Sequence, residues 1–153
     1  MIKFLDLKAI NQQYAGEIEQ QLLSVFRSGW YVLGEGVKNF ENNLATFACT
    51  AHAVGVANGL DALRLIFKAY LQLRFMQEGD EVIIPANTFI ASVLAVSDNR
   101  LTPVFVEPDI NTFNIDIKKI EEKITSKTKA IMIVHLYGRA VFSNDLVDLA
   151  AKY

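Results

Sequence analysis

A single cysteine, two histidines and no excess of either charge leave this 153-residue chain with few of the features that mark a specialised protein. Cys49 alone excludes an internal disulfide and a cysteine-rich zinc site, and its apolar setting in FACTAHAV predicts an inert, packed thiol. No metal site is expected. Fifteen Lys and Arg stand against 17 Asp and Glu, so the net charge of -2 gives no electrostatic drive toward nucleic acid. No window approaches the ~18 apolar residues of a membrane span. The opening MIKFLDLKAINQQY carries Asp6 and lacks the apolar core of a signal peptide, so the expected location is cytoplasmic, with no membrane attachment. What the chain does have is 52% hydrophobic residues, enough for a soluble domain with a real core.

Those residues are arranged in alternation. From Ala53 onward, short apolar runs (VGVA at 54–57, VII at 82–84, PVFV at 103–106, AIMIV at 130–134) are separated by segments of helical spacing. This pattern predicts an α/β fold, a mostly parallel sheet with helices on both faces. The helix after Gly59 places Leu63, Ile66, Phe67 and Tyr70 on one face, which is expected to cover the sheet. Further helices are predicted over Thr88–Ser97 and Asp116–Ile124, and from about Ser143. Before Ala53 the pattern is helical, with stripes Ile18, Leu22, Val25, Phe26 and Phe40, Leu44, Phe47. The glycine- and aromatic-rich SGWYVLGEG between them reads as an irregular loop. The chain thus divides into N-terminal helices with a loop, residues 1–52, and an α/β part, residues 53–153.

Ligands of such sheets gather outside the carboxyl ends of the strands, which nominates residues 57–61, 85–89 and 135–138. Asn58 is a favourable N-cap, and Asp61 is placed to reach back to the cap's own amide, starting a helix at Gly59. The free N–H groups of that first turn form an anion site, and glycine lets a phosphate approach the backbone closely. Asn-Gly also serves simply as a tight strand-to-helix turn. Neither GxGxxG nor GxxxxGK[ST] is present, so the dinucleotide and P-loop readings lack their fingerprints. Phe89, on the first turn of the next helix, is placed either to stack on a flat heteroaromatic ligand or to fill the core. His135 and Tyr137 end another strand and read as pocket lining, a lone histidine there being more often a hydrogen-bonded structural residue than an acid or base.

Read together, GWYVLGEGVKNFENNLATF, VANGLDAL, GDEVIIPANTFIAS, PVFVEPDINTFNID and TKAIMIVHLYG resemble, in order over residues 4–153, the N-terminal part of the DegT/DnrJ/EryC1/StrS sugar aminotransferases. The resemblance implies the large domain of the PLP-dependent aminotransferase fold (fold type I). It implies pyridoxal 5'-phosphate as cofactor, and transfer of an amino group, usually from glutamate, to a keto group of a nucleotide-linked sugar. On this resemblance the main-chain N–H groups at Asn58, Gly59 and Leu60 hold the cofactor's phosphate and Phe89 stacks on its ring. Many members carry a threonine where this chain has Leu60, so here the backbone does that work alone. NGLDAL is familiar from members that aminate C3 of dTDP-3-keto-6-deoxyhexoses, precursors of amino sugars in lipopolysaccharide O-antigens and other surface glycans.

The family's Asp partner of the pyridinium nitrogen and its Schiff-base lysine match no position here and are expected beyond Tyr153, so no catalytic residue is assigned. Lys127 and Lys129 are not in the matching context. The 153 residues are therefore expected to be an incomplete PLP-binding domain, catalytically incompetent alone, with an unpaired sheet edge. Members are homodimers with interfacial active sites; SGWYVLGEG resembles the segment near that interface, with Tyr31 contributing to the pocket. Two alternatives stay open: a PLP-dependent sugar 3-dehydrase of the same family, with histidine at the lysine position, and a non-enzymatic α/β binding or assembly module.

Overall fold

The computed structural model describes residues 3–153, which form two compact units, one ending at Gly55 and one starting at Val56. The first unit is helical: α1 (Leu7–Gln12), α2 (Ala15–Ser28) and α3 (Glu35–Phe47). Asp6 caps α1 by accepting from the Ala9 N–H at 3.1 Å. Gly29 ends α2 in the left-handed conformation, φ 69°, that glycine adopts without cost. Gly34 precedes α3 for a different reason: a Cβ there would lie 3.0 Å from the Trp30 carbonyl oxygen. The loop between α2 and α3 is irregular, as its composition predicts. Cys49 departs from expectation, being exposed and left-handed (φ 53°) one residue past the Ala48 C-cap of α3, because the chain turns out of that helix there.

The second unit holds α4 (Gly59–Gln72), β1 (Glu81–Pro85), α5 (Ile90–Ser97), β2 (Thr102–Val106), β3 (Thr128–Ile131) and α6 (Asn144–Lys152). The strands form one parallel sheet in the order β2-β1-β3, with Glu81 opposite both Thr102 and Thr128. Side chains alternate across β1. Val82 and Ile84 face one core with Phe67 of α4, Ala95 and Val96 of α5, Met76 and Leu101. Ile83 faces the other with Val106, Ile115, Ile120, Val141 and Leu146 of α6. A strand buried on both faces is apolar throughout, which is how VII reads.

Four elements differ from the sequence expectation. VGVA at 54–57 forms no strand, because no neighbour among the described residues supplies a hydrogen-bonding ladder. AIMIV pairs as a strand over Thr128–Ile131, although the Met132 N–H still donates to the Ile83 carbonyl at 2.8 Å. Asp116–Ile124 is two 3-10 turns, Ile117–Lys119 and Glu121–Lys123, rather than an α-helix. Asp116 accepts from the Lys118 N–H, two residues on, and the Ile120, Lys123 and Ile124 N–H groups close i to i+3 bonds, so the segment winds tightly from its start. On α4, Phe67 is buried and Leu63 half-buried, but Ile66 and Tyr70 stay 48% and 42% exposed, as three strands do not extend beneath the whole stripe.

Between β2 and the first 3-10 turn, the 107–116 loop is pinched by a bridge between Pro108 and Ile115. Asp109 organises its tip, its Oδ1 accepting from the Asn111 and Thr112 N–H groups at 3.0 and 2.9 Å. The Thr112 N–H chiefly, and then the Thr112 hydroxyl and the Asn111 N–H, hold the Asp109 carboxyl below its ordinary value against an opposing effect of desolvation.

Ile84→Ala is expected to cost about 2–5 kcal/mol, since the site is closed on all sides, measurable as a shift of the urea midpoint; a loss under about 1 kcal/mol would show that the cluster is loosely packed. A carboxyl whose folded value is depressed stabilises the loop above its unfolded value near ~3.9 and loses that contribution as pH falls through the lower folded value. NMR titration of Asp109 is therefore expected to give a midpoint below ~3.9, and one at or above it would mean the loop tip is open in solution.

Candidate functional site

The start of α4 is defined by its cap. Asn58 is extended, its Oδ1 accepts from the Asp61 N–H at 2.9 Å, and its carbonyl accepts from the Ala62 N–H at 3.1 Å. Asp61 does reach back, but to the side-chain amide of Asn58 at 3.1 Å rather than to its backbone N–H. An aspartate is one methylene shorter than the glutamate of a full capping box, and the side-chain amide is the donor within its reach. Asp61 also meets Arg64 Nη1 at 3.4 Å, and Arg64 binds Asp98 at the end of α5, which raises the guanidinium pKa further.

Once these bonds are made, the N–H groups of Gly59 and Leu60 have no acceptor among the described residues. They lie at the positive end of a 14-residue helix. Gly59 has no positive φ, so the backbone does not demand glycine, and a Cβ built there meets nothing within 4 Å. The glycine leaves open space beside two free donors, which suits a tetrahedral anion such as a phosphate. Leu60 packs its side chain against the core of the unit, anchoring the backbone that presents these donors.

β1 ends at Pro85 and Phe89 is the extended N-cap of α5, one residue before the helix rather than within it. The helix starts at Ile90 and not Thr88 because the Thr88 N–H closes a turn onto the Pro85 carbonyl at 3.2 Å. Phe89 is 77% exposed, so it is not a core residue of this chain. Its ring offers an open face to a flat ligand. After β3, His135 Nδ1 accepts from the Val141 N–H at 3.1 Å, which leaves the proton of the neutral ring on Nε2. Tyr137 is fully exposed and left-handed (φ 51°) in a short 3-10 turn. Tyr31 belongs to the first unit, where its hydroxyl donates to the Phe26 carbonyl at 3.0 Å.

Two residues that sequence reasoning passed over tie the second unit's loops together. Asn87 donates to the Phe113 carbonyl at 2.8 Å, and Asn114 bonds the segment after β3 at both ends of its amide. The available signal was an asparagine in each of the loops that follow β1 and β2, in PANTF and in NTFNID. Among the described residues no group of three or more His, Cys, Asp and Glu could hold a metal ion.

Residues 12–153 match the DegT/DnrJ/EryC1/StrS aminotransferase family. The chain is 56% identical over 153 residues to the dTDP-3-amino-3,6-dideoxy-alpha-D-galactopyranose transaminase of Aneurinibacillus thermoaerophilus, covering 100% of this chain and 41% of that protein. It superposes on S. venezuelae DesV, solved in complex with a ketimine intermediate, with a TM-score of 0.86 at 41% identity, over 99% of this chain and 40% of that one. E. coli GDP-4-keto-6-deoxy-D-mannose-3-dehydratase with bound hydrated PLP follows at 0.82 and 31% identity, over 87% of this chain and 35% of that one. The chain spans about two-fifths of the length of the curated relative. Its α/β architecture is that of the PLP-dependent aminotransferases. The chain belongs to the DegT/DnrJ/EryC1/StrS aminotransferase family, to whose N-terminal part it corresponds.

Proposed function

We propose that the protein containing these residues is a pyridoxal-phosphate-dependent aminotransferase. It moves an amino group, from glutamate, to the keto group of a nucleotide-linked sugar such as a dTDP-3-keto-6-deoxyhexose, in the cytoplasm, for O-antigen or other surface and deoxysugar biosynthesis. The observation that carries this reading is the 56% identity to a dTDP-3-amino-3,6-dideoxygalactose transaminase. The free N–H groups and open space at Gly59 agree with it. When bound, the cofactor supplies an electron sink for the carbanion formed on the substrate.

The chain's own residues bind and orient. Asn58 fixes the start of α4, the Gly59 and Leu60 N–H groups hold the phosphate, and Phe89 stacks on the ring. His135 and Tyr137 line the pocket for the sugar, and Tyr31 is assigned, on the resemblance, to a pocket at the dimer interface. The groups that move protons and hold the cofactor covalently match, on the family pattern, no position among these 153 residues, so the roles proposed for them are binding and orientation. The sugar 3-dehydrase is the second reading, supported by the likeness to the E. coli dehydratase; its identity of 31% ranks it below the transaminase.

The test is made on the full-length protein, with pyridoxal phosphate, glutamate and dTDP-3-keto-6-deoxyhexose, reading the amino sugar by mass spectrometry. A 3-deoxy product instead would favour the dehydrase. In the same protein Gly59→Val is expected to weaken cofactor binding at least tenfold, about 1.4 kcal/mol, by filling the space beside the free donors. Unchanged binding would remove the phosphate from this turn.

A homodimer completes the proposal, on the resemblance and on the exposed Ile18, Leu22, Val25 and Phe26 of α2, 42% to 70% exposed. The 153-residue chain is expected to associate at micromolar concentration in light scattering, and a monomer there would count against it.

A further inference from the structure

The loops leaving the three strands are bonded to one another at the sheet's carboxyl end. Asn87, two residues past β1, donates to the Phe113 carbonyl, and the adjacent Asn114 grips the segment after β3. Its Oδ1 accepts from the Leu136 N–H at 3.3 Å and its Nδ2 donates to the Arg139 carbonyl at 3.1 Å. Because the strand order is β2-β1-β3, the 107–116 loop that leaves β2 reaches beyond the end of the central strand to do this. Asn114 is 6% exposed, so its amide is bonded where water scarcely reaches, and losing either partner leaves a buried group unpaired.

The 135–141 turn is closed once more by the Val141 N–H on His135 Nδ1. Inside it, Tyr137 is held left-handed at φ 51°, a conformation unfavourable for a bulky residue, while 99% exposed. Such a conformation persists only where its surroundings over-determine it, and here Asn114 and His135 do so. A ring that gains nothing from burial is nonetheless fixed in place at the edge of the sheet where ligands of parallel sheets bind.

We propose that Asn114 is a positioning residue: it sets the 135–141 turn and so fixes Tyr137 where the keto sugar is held. This rests on the aminotransferase reading above. The substitution that isolates it is Asn114→Asp, which keeps the acceptor for Leu136 and replaces the donor to Arg139 with a second acceptor.

The experiment uses the full-length protein loaded with pyridoxal phosphate and follows its two half-reactions separately by the cofactor's absorption, first with glutamate and then with dTDP-3-keto-6-deoxyhexose. Asn114→Asp is expected to lower kcat/KM for the sugar roughly tenfold and leave the glutamate half-reaction near the parent value. Tyr137→Ala, at a fully exposed position, is expected to give the same selective loss, and the double variant no more than either alone. Parent-like kinetics in either single variant, an equal loss in both half-reactions, or additive losses would overturn the role of Asn114 while leaving the aminotransferase intact. A parent protein that turns over neither substrate would overturn the functional reading and this inference with it.

Discussion

Everything in the second unit is arranged around a strand of five residues that has no exposed face. Parallel pairing on both sides of β1 consumes its backbone donors and acceptors, and its two faces are covered by different layers. Parallel neighbours cannot be joined by tight hairpins, so each connection must cross a face of the sheet and return. That requirement sends α5 to one side, where α4 joins it, and the 3-10 turns to the other, where α6 joins them. It also delivers every strand's exit to the same edge.

At that edge, the contacts made and the contacts left open divide the work. Asn58 and Asp61 satisfy each other and leave the first two N–H groups of α4 unspent, while Arg64 engages the carboxylate nearest to them. A helix end without acceptors is a standing preference for an anion, and no side chain of the first turn is left to satisfy it. A phosphate proposed for this turn would meet a site whose geometry is already in place, so little ordering of the protein would oppose its binding.

β1 and β2 were legible because each holds a short apolar run bounded by turn residues, whereas β3, TKAI, overlaps its expected run only at Ala130 and Ile131. The helix start at Gly59 was legible because Asn58 is a cap whose side chain accepts from the first turn, and the structure adds a Ser143 cap at the start of α6. Two errors have one cause. The 54–57 run has the composition of a strand, and the face of α4 has the spacing of a covered helix, but pairing and cover come from neighbours and not from the segment itself. The Asp116–Ile124 error has another cause: spacing reports which residues face inward, and the 3-10 turn still buries Ile120. Asn114 was illegible because its partners are carbonyl and amide groups more than twenty residues away, and backbone groups leave no trace in a sequence.

The register of the sheet also ranks its two pairings by the chain entropy that each forfeits. Glu81 pairs with Thr102 after a short crossover and with Thr128 only after a much longer one, so closing the second pairing forfeits more chain entropy. The β1–β2 pairing with α5 is thus the more local of the two, and β3 joins it across the longer connection. Asn114 lies in the loop that follows β2, and its two bonds tie that loop to the segment leaving β3. The order of the 135–141 turn therefore depends on the costlier of the two pairings staying in register.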